Sequence, residues 1–83
     1  MITVTKVWFE SNKIYVELNN AKVIGTSIHW YPNLRKGSLE QLAKFELWNG
    51  GQWIHWEELD EDLSAEGFLQ YNPEDKKLTY KMH

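Results

Sequence analysis

The chain has 83 residues, no Cys and a formal net charge of −3. A chain of this length is expected to be one domain, and the absence of Cys excludes disulfides and thiolate metal sites. An acidic domain is poorly suited to tight nucleic-acid binding, which draws much of its affinity from Lys and Arg on phosphates.

A domain this small buries only somewhat more than ~60% of its unfolded surface. Its five Trp, four Tyr and three Phe make a core feasible, because each large ring can bury ~150–250 Å². The opening Met1-Ile2-Thr3-Val4-Thr5-Lys6 has no basic region before an apolar run and does not read as a signal peptide. No apolar stretch approaches the ~20 residues that span a bilayer. The expected compartment is the cytoplasm, with no membrane partner.

Taken in order, residues 2–10 are rich in β-branched and aromatic types and read as a strand. Ile2 and Val4 fall on one parity, Val7 and Phe9 on the other, which predicts a bulge near Lys6. Ser11-Asn12-Lys13 is a turn, and Ile14, Val16 and Leu18 then alternate with Tyr15 and Glu17 as a half-buried strand. Asn19-Asn20 is a tight-turn pair. Residues 22–30 read as a third strand carrying Ile24, Ile28 and Trp30 on one parity. These three strands form an antiparallel meander.

Pro32 forces an extended residue before it and closes the third strand. Residues 33–37 are a connection. Ser38 with Gln41 is a capping box, opening a helix of two or three turns with Leu39, Leu42 and Ala43 as its apolar stripe. Residues 45–48 form a strand, Asn49-Gly50-Gly51 a hairpin turn, and residues 52–56 the returning strand. Ser64 caps a last short helix carrying Phe68 and Leu69. Asn72-Pro73-Glu74-Asp75 is a turn, and Leu78-Thr79-Tyr80 is an edge strand or an ordered tail. The fold class expected is α+β: a three-stranded antiparallel meander, a short helix, a β-hairpin and a second short helix. The domain is assigned to residues 1–70, with 71–83 as a C-terminal extension. Ile14, Val16, Leu18, Ile24, Ile28, Leu42, Phe45, Ile54, Leu63 and Leu69 are the expected core.

The charge distribution says more than its sum. Glu57, Glu58, Asp60, Glu61, Asp62 and Glu66 place six acids and no base within residues 57–66. The rest of the chain holds nine Lys and Arg against the other six acids. Such runs are usually solvated surface. As a functional feature, this one suits a basic protein partner.

Little points to catalysis. His29 and His55 are far apart in sequence, and His83 is terminal, so none shares the close spacing of most zinc motifs. Beside Trp in strands, His29 and His55 read as hydrogen-bonded structural residues. Ser11, Ser27, Ser38 and Ser64 lack a nucleophile-elbow context. Asn49-Gly50-Gly51 lies in a hairpin and is no phosphate loop. Trp48, Trp53 and Trp56 could stack single-stranded bases, though so small a domain needs most of its Trp for its core. No enzyme activity, metal or cofactor is expected.

Several segments together resemble a bacterial family called domain of unknown function 2442. They are Val7-Trp8-Phe9, Ile14-Tyr15-Val16-Glu17-Leu18, Val23-Ile24-Gly25, Trp30-Tyr31-Pro32-Asn33-Leu34 and the run from Glu40 to Glu46. The most specific part is Ile54-His55-Trp56 with Leu59-Asp60-Glu61-Asp62-Leu63-Ser64, Glu66-Gly67 and Leu69. The likeness covers about residues 2–70. It implies an α+β domain and a genetic setting, since such proteins are often proposed as antitoxins encoded beside a small toxin-like protein. Some relatives carry an added helix-turn-helix domain, for which this chain is too short. Asn33 stands where many relatives have Arg, the 48–53 hairpin is richer in Trp than usual, and residues 71–83 extend past the typical end. The family has no established catalytic residues to carry over.

The function expected is therefore a non-catalytic, protein-binding, antitoxin-like module. Its Glu57, Glu58, Asp60, Glu61, Asp62 and Glu66 would cover a small basic partner, a cognate toxin. The rival reading is a single-stranded nucleic-acid-binding or regulatory domain. A third is a scaffold that forms a homo-oligomer.

Overall fold

The computed structural model describes residues 1–70, with Gln70 described in its backbone only. The expected turn at 72–75 and the edge strand or tail at 78–80 lie outside the described residues.

The first half is the expected meander. Strands β1 (Val4–Glu10), β2 (Lys13–Leu18) and β3 (Val23–Ser27) pair antiparallel in sequence order. The register slips between Val4 and Lys6: Val4 faces Leu18, but Lys6 faces Glu17. That bulge resolves the parity conflict in the sequence. Without it Val4 and Val7 would point to opposite faces; with it Val4 is buried and Val7 and Phe9 pack against the same core. Ile14, Val16, Leu18 and Ile24 line the inner face. On the outer face Trp8 stacks on Tyr15, ring centroids 5.6 Å apart. Tyr15 in turn lies over Gly25, where a Cβ would sit 2.5 Å from its ring.

The third strand ends earlier than expected. Ser27 accepts a hydrogen bond from the His29 backbone N–H at 3.2 Å and starts a 3-10 turn, Ile28–Trp30. A short side chain has offered the backbone a local partner that the ladder would otherwise supply. Trp30, expected on the core parity, is 55% exposed.

The expected connection at 33–37 contains a helical turn, α1 (Pro32–Arg35), that buries Leu34. Pro32 holds its first position, where a missing N–H costs nothing. The capping box forms as expected. Ser38 Oγ accepts from the Gln41 N–H at 3.1 Å, and Gln41 Oε1 from the Ser38 N–H at 3.0 Å. The helix it starts, α2 (Leu39–Leu42), is a single turn. It buries Leu42 but leaves Leu39 and Ala43 exposed.

A second three-stranded antiparallel sheet follows: β4 (Glu46–Trp48), β5 (Trp53–Trp56) and β6 (Glu61–Ser64), again in sequence order. The expected hairpin joins β4 to β5 through Asn49, Gly50 and Gly51, all at positive φ. Strand β6 lies within the acidic run, where the expected order of elements had no strand. Ile54 faces Leu63, His55 faces Asp62 and Trp56 faces Glu61. Ser64 then caps α3 (Ala65–Gln70), accepting from the Gly67 N–H at 2.9 Å.

Helix α3 turns Ala65 and Phe68, three residues apart, into the core. Leu69 falls outside that stripe and is 36% exposed, against expectation. Ile28, Phe45 and Leu63 are partly buried around a core completed by Leu34, Ile54 and Trp56. The Trp56 indole N–H donates to the Leu42 carbonyl at 3.0 Å, pinning α2 onto the second sheet.

Candidate functional site

Alternation along the second sheet separates its residues. Ile54, Trp56 and Leu63 face the core, so Glu46, Trp48, Trp53, His55 and Asp62 share the outer face. His55 is nonetheless shielded, its side chain 11% exposed. Trp48 covers it, ring centroids 3.9 Å apart. Its Nδ1 lies 2.5 Å from Asp62 Oδ1 and its Nε2 2.8 Å from Glu57 Oε1.

A neutral imidazole has one donor nitrogen and one acceptor; only the imidazolium donates from both. Two carboxylates therefore select the protonated ring, which also suits the face of Trp48. The hydrogen bond to Glu57 and then that to Asp62 raise the His55 pKa above its ordinary value. A raised folded-state pKa contributes stability below the unfolded value of about 6.5. That contribution is lost as pH rises through the folded value. The melting temperature is expected to fall over this window, and His55→Gln to flatten the slope. Circular dichroism melts at a series of pH values provide the check; a wild-type curve as flat as the variant's would show that the carboxylates do not hold the proton.

The six acids do not form one face. Glu57 and Asp62 serve His55. Glu58 turns toward α2 and pairs with Lys44 at 3.1 Å, with Gln41 also in reach. Those two partners, Lys44 first, lower the Glu58 pKa. Asp60 sits at φ 52, the left-handed corner of the turn, and its carbonyl accepts from Asn33 Nδ2 at 3.2 Å. Glu61 Oε1 accepts from the Asp62 N–H. Glu66 lies in the first turn of α3, where its charge favours the helix start. Sequence reasoning placed His55 as structural but missed both of its carboxylates. Asp62 reaches it only through the β5–β6 register, which no hydrophobic pattern announces.

Sequence reasoning grouped Trp48, Trp53 and Trp56 as candidate stacking rings; the structure takes Trp56 into the core and leaves the other two on the outer face. Trp48 and Trp53 face each other across β4 and β5, yet are 46% and 42% exposed. With Asn49 and Asp62 they line an open concavity of about 240 Å³. Among the described residues no group of three or more His, Asp or Glu is arranged to hold a metal ion, and no described helix is long and apolar enough to cross a membrane.

No curated protein matches this chain. A solved structure does: a protein of unknown function from Rhodospirillum rubrum ATCC 11170, at 28% identity and a TM-score of 0.71. The likeness covers 83% of this chain and 86% of that one, so the two sheets and their short helices are an arrangement shared with another protein. The family described as "Protein of unknown function (DUF2442)" matches residues 4–74. Those residues take in both sheets and every site residue named above, and the chain belongs to that family.

Proposed function

We propose that this chain is a non-catalytic protein-binding module, antitoxin-like, that neutralises a small basic protein encoded beside it. The observation that carries the reading is the surplus of acid held on ordered backbone. Among the described residues, His55 and Lys44 are the bases that pair with the six acids. The turn after β5 and the strand β6 fix the remaining charge in place. Glu57, Glu58, Asp60, Asp62 and Glu66 are all exposed. Such a field speeds encounter with a basic partner and disfavours acidic competitors.

The outer-face Trp pair offers rings to a nucleic-acid base, but Glu46 and Asp62 stand beside it. Carboxylates there repel phosphate, which favours the protein reading.

The test replaces Glu57, Glu58 and Glu61 by Gln, which keeps shape and hydrogen-bonding capacity. The partner is taken from the adjacent reading frame by co-expression and pull-down. Association is expected to slow by roughly tenfold or more at low salt, with a weaker salt dependence. Thermal stability should fall modestly and mainly at low pH, because Glu57→Gln removes one of the two carboxylates that hold the His55 proton, whereas the exposed Lys44–Glu58 pair contributes little. Unchanged association kinetics over a range of salt would reduce the cluster to solvated surface.

A further inference from the structure

We infer that the concavity between Trp48 and Trp53, bounded by the Asp62 carboxylate, receives one arginine side chain of a protein partner. This rests on the protein-binding reading and names the chemistry it would use.

Four features converge on a guanidinium. Two indoles, 46% and 42% exposed, line the concavity on the outer face of the second sheet. The Trp48 indole N–H already donates to Glu46 Oε1 at 3.1 Å, so its ring, not its N–H, is what it offers a ligand. One face of that ring is taken by His55, and the residue is still 46% exposed. Asp62 spends Oδ1 on His55 and keeps Oδ2, on a side chain 52% exposed.

A planar, weakly hydrated cation that stacks on indole and donates N–H to a carboxylate matches all of these. An ammonium is compact and strongly hydrated, and cannot lie flat between rings. A neutral apolar side chain would cover Asp62 without a partner, at a desolvation cost. An anion would meet Glu46, Glu57 and Asp62. The His55 charge does not repel the ligand in net terms, because those three carboxylates outweigh it.

The experiment follows the five indole N–H resonances of ¹⁵N-labelled protein during titration with N-acetyl-arginine methylamide at constant ionic strength. Trp48 and Trp53 are expected to shift saturably while Trp8, Trp30 and Trp56 stay in place. The lysine analogue should bind several-fold more weakly. Asp62→Asn, which retains a hydrogen bond to His55, should weaken arginine binding by roughly tenfold; Trp53→Leu should weaken it comparably. Melts confirm that both variants are folded. Absence of saturable shifts, shifts shared by all five indoles, or equal affinity in folded Asp62→Asn would overturn the assignment. This titration needs no partner, so it can fail while the acidic turn still governs association. It can also succeed where the Gln variants leave association unchanged, and the two readings fall separately.

Discussion

Trp56→Ala is expected to destabilise the domain by about 3–5 kcal/mol, the cost of emptying a fully packed aromatic site. Trp56 is 1% exposed and is the largest fully buried side chain. It packs against Phe45, ring centroids 6.5 Å apart, and its N–H satisfies the Leu42 carbonyl at the end of α2. Removing it opens a cavity and orphans that carbonyl together. Stability of roughly 0.05–0.15 kcal/mol per residue leaves little margin in a chain this short. Trp56→Phe keeps most of the ring, loses the N–H, and should cost about 1–3 kcal/mol. Urea titrations of the three proteins give the comparison. A loss under about 1.5 kcal/mol for the Ala variant would mean that the second sheet is not anchored at this ring.

Gly51→Ala should cost about 2–4 kcal/mol, well above Gly50→Ala at about 1–2 kcal/mol. Both glycines sit at positive φ, 66° and 98°, so both substitutions strain the backbone. They differ in their surroundings. A Cβ on Gly50 meets nothing within 4 Å, whereas one on Gly51 would overlap the Val4 carbonyl oxygen and crowd Thr3. Those are atoms of β1 and the residue before it, and backbone cannot swing aside as a long side chain can. The hairpin of the second sheet thus abuts the first strand of the first sheet at a point only glycine fits. Equal melting temperatures for the two variants would contradict that close approach.

The parts of the fold legible in the sequence are those written in local chemistry. The parity conflict between Val4 and Val7 marked the bulge, and Ser38 with Gln41 marked α2. Asn49-Gly50-Gly51 marked the hairpin, and Ser64 marked α3. Strand β6 was not legible, because Glu61-Asp62-Leu63-Ser64 offers one apolar residue and no alternation. It is a strand because β5 supplies hydrogen-bonding partners beside it, which is information about tertiary pairing. The error propagated to the site, since without β6 nothing brings Asp62 to His55. Trp30 was misplaced for the opposite reason. Its parity fitted the strand, but Ser27 captured the backbone first. Leu69 and Phe68 are equally apolar neighbours, and only the docking angle of a short helix decides which is covered.

The order of the strands has a kinetic consequence. Every strand pair among the described residues joins sequence neighbours, closed across Ser11–Asn12, 19–22, 49–52 and 57–60. Closing such short loops sacrifices little chain entropy, and chains dominated by near contacts cross their barriers quickly. Each three-stranded unit can therefore zip up on its own clock. Contacts such as that of Gly51 with Val4 can form only when the two units meet, so that encounter is the step that must search.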